Sequence, residues 1–367
     1  MVEILMEGMT ENKGGKETYM IHMFQVFNKN KYNFTFVAYN EKIAYEDYLI
    51  ENGATIFHLP PRCTGLLQHR RALDKLFKDK KYDVIWTHKT SLSACEILSI
   101  GKRNGVSVRI IHSHCSSNMG GKFTFLMHNI NRRRIYGMAN VYLACSNPAA
   151  KWFYGNHPAK IMINGVNLEE FRYDPVVREQ IRNQLDLGDN FVIGHVGRFG
   201  AEKNHRKLLY VFHACKQRKK NVKLLLCGDG KEREAIERLI CELKLEEDVK
   251  LLGIVDHVNQ VLQAMDVMVM PSLFEGLPFS LLEAQTAGLK CIVSDAVSKE
   301  SDVLKWNQFL SLNLEDDLWA ETILMTDLDY DRLTGYRVMK QSGFDLEESG
   351  AAAEKMICLK LQNNGRY

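Results

Sequence analysis

Met270-Pro271-Ser272-Leu273-Phe274-Glu275-Gly276-Leu277-Pro278-Phe279-Ser280-Leu281-Leu282-Glu283-Ala284-Gln285-Thr286-Ala287-Gly288 runs from an apolar segment through a turn into a helical pattern. A strand ends at Met270, and Glu275-Gly276-Leu277 makes the loop. Pro278 suits a first helical turn, and Gly288 supplies the stop. The helix start offers unpaired N–H groups and a positive dipole end, a ready anion site. Glu275 stands just before it, and Glu283 follows eight residues on, about 12 Å away at most if the rise were fully helical. Two carboxylates flanking an anion site suit a ligand with hydroxyls on each side of a phosphate, and a sugar nucleotide is such a ligand. The plainer alternative makes Glu275 a helix-start acid and Glu283 a solvated helix residue.

Working outward, the same strand–loop–helix alternation recurs. Segments 191–196, 222–227, 249–252, 267–270 and 290–294 read as strands, with helices over 203–218, 232–243, 258–263 and 278–287. In the first half, 2–6, 34–39, 55–59, 84–87, 106–112 and 141–144 read as strands, with helices over 16–27, 45–52, 68–80 and 92–104. Alternation of this kind implies parallel sheets covered by helices. The turn Asn164-Gly165-Val166-Asn167 and the polar stretch after it, with Pro175, mark a boundary. The expected organisation is a doubly wound, Rossmann-like domain over 1–170, a linker over 171–188, a second such domain over 189–345, and a C-terminal helix over 346–367 packing back on the first domain. A ligand is expected in the cleft between the domains, facing the carboxyl ends of both sheets.

The length, 367 residues, fits two globular domains. No apolar run is long enough to span a bilayer, and the acid-bearing start Met1–Gly8 predicts no secretory leader. The nine cysteines form no C-x-x-C pair, which predicts reduced thiols in a cytoplasm. Net charge is +3, yet residues 1–188 carry 25 Lys and Arg against 17 Asp and Glu, a net +8, leaving −5 for the rest. Between Glu96 and Glu169 there is no acid, while nine cations stand there, Lys122, Arg132, Arg133 and Arg134 among them. Such a stretch points to an anionic partner, or to a basic solvated face.

Further candidates lie at strand ends. In Gly197-Arg198-Phe199-Gly200-Ala201-Glu202-Lys203-Asn204, Arg198 and Lys203 fall in a loop and Asn204 is placed to cap the next helix. His205, Arg206 and Lys207 then load its first turn with cations, a liability that a bound diphosphate would reverse. Neither this run nor Cys227-Gly228-Asp229-Gly230 has the G-x-G-x-x-G spacing, and no Walker pattern occurs. After the first strand, Gly14 and Gly15 let the backbone approach a phosphate. His112 and His114 end a strand and face one side, with His88 at another strand end. No further ligands stand at metal-site spacing, so hydrogen-bonding or structural histidines are the alternative.

Together these motifs resemble the bacterial retaining glycosyltransferases of family four, which have the GT-B fold. The likeness runs in order through Gly14-Gly15, His112-Ser113-His114, Asn164 to Asn167, Gly197-Arg198 with Lys203-Asn204, Gly228 to Gly230, Leu252-Gly253-Ile254, and Glu275 with Glu283. It is nearest to enzymes of capsule, exopolysaccharide or cell-wall glycan assembly. The resemblance implies that Arg198 and Lys203 hold the diphosphate of a nucleotide-sugar donor, uridine by default. Glu275 would bind sugar hydroxyls with the N–H groups of Gly276 and Leu277, and Glu283 would accept from the ribose. Gly228 and Ile254 would complete the donor site, and His114 would contact the transferred sugar. Gly14 and Gly15 would approach the diphosphate from the N-terminal, acceptor-side domain. It further implies transfer of a hexose or N-acetylhexosamine with retained configuration and without metal or other cofactor. Lys16 departs from the small or apolar residues usual after the glycine pair, and is read as reaching diphosphate or acceptor, or as solvated.

The segment 122–134 sets Phe123, Phe125, Leu126 and Ile130 beside Lys122 and Arg132 to Arg134. This suits adsorption to an anionic membrane and capture of a lipid-linked acceptor, giving a cytoplasmic protein peripheral on the inner membrane face. The alternative is an amphipathic helix whose apolar side is core. Competing functions are a nucleotide-sugar epimerase or a phosphorylase, and a non-catalytic sugar-nucleotide-binding subunit. Nucleic-acid binding finds no recognisable motif.

Overall fold

In the computed structural model, which describes residues 1–117 and 120–363, the strands form two separate parallel sheets. The first holds β1 (Val2–Glu7), β2 (Tyr32–Ala38), β3 (Thr55–His58), β4 (Val84–Lys89), β5 (Val108–Ser113), β6 (Val141–Ala144) and β7 (Lys160–Ile161), in the order β3-β2-β1-β4-β5-β6-β7. The second holds β8 (Phe191–Val196), β9 (Val222–Cys227), β10 (Val249–Gly253), β11 (Val267–Met270), β12 (Lys290–Ser294) and β13 (Gln308–Leu310), in the order β10-β9-β8-β11-β12-β13. Every pairing is parallel. The fold class read from the alternation is therefore the observed one. In each sheet the strand order reverses direction once, between β1 and β4 and between β8 and β11. Those reversals leave crevices at the carboxyl ends, where doubly wound folds bind ligands.

Parallel sheets covered on both faces need strands that are apolar throughout, and β8 is buried along its whole length. Helices shield each sheet: Leu73, Leu98 and Phe153 close the first core around Leu5 and Ile85, and Leu208, Phe212, Ile240 and Trp319 close the second around Ile193 and Leu224.

The chain divides into two compact units, Met1–Gly165 together with the segment from Leu346, and Val166–Asp345. The division differs from the expected boundaries of 170 and 189. The expected linker 171–188 lies inside the second unit, where Pro175–Gln184 is helical. Its polarity, which reads as linker, serves a packing role: Arg178 pairs with Asp266 at 2.5 Å and donates to the Gln263 and Met265 carbonyls, while Arg182 donates to Ala264 O. The helix Leu346–Asn363 packs within the first unit. Its Ala353, Met356, Ile357 and Leu361 are buried, Glu354 accepts from Asn28 N, and Ser349 donates to Ile163 O. The last residues assigned to that helix from sequence, 364–367, lie outside the described residues.

Candidate active site

At the second sheet's reversal, the loops after β8, β9 and β11 are tied together. Gly228 (φ +142°) stands so near Gly197 that a Cβ on it would lie 2.0 Å from the Gly197 carbonyl oxygen. Only a glycine can take that conformation beside that neighbour. Phe199 N donates to Asp229 O at 2.9 Å, so the Gly228 turn braces the loop that carries Arg198. Arg198 reaches outward and pairs with Glu202 at 2.8 Å. Burial would raise the Glu202 carboxyl, but the Arg198 hydrogen bond and charge hold it below the usual range. Glu202 O in turn accepts from Leu273 N, and Lys203 Nζ lies 2.5 Å from Glu275 Oε1. The Lys203 and Glu275 side chains are only 14% and 16% exposed. Ser298 N donates to Glu275 O and fixes the backbone there.

Gly276 and Leu277 lead from Glu275 into the helix Phe279–Thr286, with Pro278 as its N-cap rather than its first residue. Glu283, in the second turn, is half-buried. Burial and then the Glu170 carboxylate push its pKa up to about 7. Gly288 (φ +68°) ends the segment as expected. Ile254 is the outlier among the expected donor residues: it projects into solvent, 68% exposed, beyond the end of β10.

One expectation about the following helix, its cap, is corrected. Asn204 occupies the N-cap position of His205–Arg218 in the left-handed region, but its side chain makes no cap and donates to Pro271 O. Of the first-turn cations, Lys207 is engaged by Asp316 at 2.7 Å and by Leu314 O, while Arg206 lies over the Tyr210 ring. At Lys207 an acid within the protein thus offsets part of the dipole liability. Glu202, missed as a site residue, could have been read from its i, i+4 spacing to Arg198.

In the first unit, Gly14 caps and Gly15 opens the helix Gly15–Val26 after β1. Lys16 neither reaches outward nor is solvated: its Nζ donates to Gly8 O and pairs with Glu17 at 3.2 Å, and the side chain is 15% exposed. Glu17 also accepts from Thr10 Oγ1, which locks this turn. At the ends of β4 and β5 the register sets His88 beside His112. His114 follows, with His88 Nδ1 and His114 Nε2 at 2.9 Å and His114 N donating to Lys89 O. Burial lowers the pKa of His112 to about 3 and drives those of His88 and His114 well below the usual value. His88, expected at another strand end, joins the other two because the register of β4 against β5 sets it beside His112.

The helix Lys122–Arg134 is the reverse of an ordinary amphipathic helix. It buries His128 and Asn131, which bond Leu92 N and Leu92 O, while Phe123, Phe125, Leu126 and Ile130 are exposed. The alternative in which its apolar side is core is therefore excluded. Lys122, Arg133 and Arg134 are exposed and Arg132 is half-buried.

A D-x-D metal motif was expected to be missing, yet that spacing occurs at Asp327, Asp329 and Asp331; there Asp327 pairs with Lys290 and Asp331 with Arg337, and both cap local backbone. Among the described residues, the group of potential ligands close enough to share an ion is His88, His112 and His114. No described helix is long and apolar enough to cross a membrane.

Two doubly wound units with cations and carboxylates at a strand-order reversal have the architecture of GT-B glycosyltransferases. Anabaena HepE, solved in complex with UDP and glucose, superposes with a TM-score of 0.80 over 98% of this chain and 100% of its own, at 18% identity. The family model Glycosyltransferase Family 4 matches residues 13–170, and the model Glycosyl transferases group 1 matches 177–324. EpsF of Bacillus subtilis (strain 168), described by name as a glycosyltransferase, is 31% identical over 325 residues, 85% of this chain and 84% of EpsF. An Escherichia coli protein named UDP-Gal:alpha-D-GlcNAc-diphosphoundecaprenol alpha-1,3-galactosyltransferase is 27% identical over 77% of each chain. The chain belongs to glycosyltransferase family 4, as its ordered motifs led us to expect.

Proposed function

We propose that this glycosyltransferase is retaining and metal-independent, and that it moves a hexose or N-acetylhexosamine from a UDP-sugar to a lipid-linked, growing cell-surface glycan. The observation that carries the reading is the sheltered Lys203–Glu275 pair, with Arg198 beside it, at the reversal of the second sheet. A pair of opposite charges held out of water is ready for exchange. An arriving diphosphate would draw Lys203 and Arg198, and Glu275 would turn to the hydroxyls of the donor sugar. During transfer the bond from the anomeric carbon to the diphosphate oxygen breaks. The acceptor oxygen bonds that carbon on the same face, and the leaving phosphate takes the acceptor proton. Negative charge grows on the diphosphate, where Arg198, Lys203 and the N–H groups of Gly276 and Leu277 would stabilise it; one such preorganised donor is worth about 10²–10³ in rate. Glu283 would accept from the ribose, Gly228 would hold the Arg198 loop, and Gly14, Gly15 and His114 would meet diphosphate and sugar.

The acceptor side rests on the helix Lys122–Arg134. Its exposed aromatic and aliphatic face, framed by Lys122, Arg133 and Arg134, suits an anionic bilayer that presents lipid diphosphates. This supports a cytoplasmic enzyme resting on the inner membrane face, and the lipid-diphosphate acceptor in the name of the Escherichia coli relative agrees. Replacing Arg132, Arg133 and Arg134 by Glu should abolish binding to anionic vesicles and slow transfer to lipid acceptors. Unchanged vesicle binding would remove the membrane from the reading.

The donor and the stereochemistry are tested together. Separate UDP-sugars are incubated with the protein and a membrane lipid extract in EDTA, and the product anomer is read by NMR. Release of UDP with the α configuration kept supports the reading. An inverted product, or activity abolished by EDTA, contradicts it. Interconversion of the sugar without nucleotide release would mark an epimerase.

A further inference from the structure

The three histidines at the ends of β4 and β5 leave a polar account that does not close. One nitrogen from each of His88, His112 and His114 lies within 4.8 Å of the other two. The His112 and His114 ring centroids are 4.2 Å apart, and the Tyr19 ring packs against all three. His88 and His112 are 1% and 0% exposed. The three share a single hydrogen bond among themselves, between His88 Nδ1 and His114 Nε2. His88 Nε2, both His112 nitrogens and the Tyr19 hydroxyl are buried with no partner among the described residues. A buried donor or acceptor left unmade costs about 1–3 kcal/mol, so four of them in one cluster call for an explanation.

We propose that His88, His112 and His114 form a binding site for one divalent transition-metal ion of the zinc type. Three imidazoles are borderline donors that suit Zn2+, Cu2+ or Ni2+ and not the oxygen-seeking Mg2+ or Ca2+. Metal binding takes the neutral form of each ring. Binding breaks the His88–His114 hydrogen bond, and its proton moves to the other nitrogen of the same ring, so each imidazole gives one lone pair and no proton is lost. Tetrahedral zinc with bonds of about 2.0–2.1 Å leaves a fourth position for water. His114 is half-buried and is the open side of the cluster, by which an ion enters. Resting on the transferase reading, which gives His114 to the donor sugar, the ion and the donor compete, and zinc inhibits.

The probe is Co2+, whose visible spectrum reports four-coordinate nitrogen ligation, added to the full chain with exposed Cys63, Cys241 and Cys358 alkylated. One equivalent of Co2+ is expected to bind, to be displaced by Zn2+, and to raise the melting temperature. His112→Phe fills the same space without nitrogens and His88→Asn removes a different ligand; each should weaken metal binding at least about tenfold, with circular dichroism confirming the fold. Absence of binding by the unaltered chain, or binding by both variants as tight as by the unaltered chain, overturns the site. The competition is read separately, as weaker UDP-sugar binding at saturating Zn2+. Unchanged affinity overturns inhibition, and failure to bind any UDP-sugar counts against the transferase reading while the Co2+ spectrum still decides the site.

Discussion

Glu283 illustrates how one half-buried carboxyl couples stability to ligand. Its pKa is pushed up to about 7 by burial and by Glu170, well above its value in an unfolded chain. A raised carboxyl pKa favours the folded state at low pH, and that advantage is lost as pH rises through the folded value. Between pH 5 and 8 the wild type should therefore lose stability relative to Glu283→Gln, by about 3 kcal/mol at most. Urea unfolding of both proteins at the two pH values checks this, and parallel pH curves would contradict it. With a nucleotide-sugar bound, the sign reverses. If the carboxylate accepts from the ribose, UDP-sugar affinity should rise through pH 7 in the wild type and stay flat in Glu283→Gln, as calorimetry would show.

At the scale of elements, the loops at strand ends are braced by each other more than by the helices they enter. Gly228→Ala would place a methyl against the Gly197 carbonyl in a backbone region that side chains rarely adopt. We expect a cost of about 2–4 kcal/mol, with a clear fall in melting temperature, because strain and clash add. Loss of the Arg198 position should lower donor affinity as well, whereas an unshifted melt would show that the two turns do not depend on each other. The same scale explains what the sequence could and could not reveal. The strands of both halves were legible because buried parallel strands are apolar end to end, and β6, β8, β9, β11 and β12 fall on the residues expected. The edge strands Lys160–Ile161 and Gln308–Leu310 escaped because two or three residues carry no period. At the site, Lys203 and Glu275 were legible as types at strand ends, but their pairing was not. Lys16 and His88 were both noticed, but not their partners: the absorption of the Lys16 charge by Gly8 O and Glu17 leaves no trace in sequence, and register across strands leaves none in spacing.

For the molecule as a whole, the last helix belongs to the first unit although the chain reaches it only after building the second. The order in sequence and the order in space differ, and the first unit is complete only when Leu346–Asn363 has docked. Removing residues 346–367 would uncover the surface under Met356, Ile357 and Leu361. At about 1.5–3 kcal/mol per large apolar side chain, the truncated protein should lose several kcal/mol and melt at a much lower temperature or aggregate. A truncation that melts like the intact chain would contradict this packing. Charge is also divided along the sequence, +8 over residues 1–188 against −5 over the rest, in keeping with the proposal that the basic part meets an anionic surface.

The most direct test is UDP release from a UDP-sugar in the presence of lipid extract and EDTA, by the wild type and by folded Glu275→Ala. Release that depends on the extract and falls at least about a hundredfold in the variant is the expected result. Equal release by both proteins would contradict transfer at the Lys203–Glu275 pair.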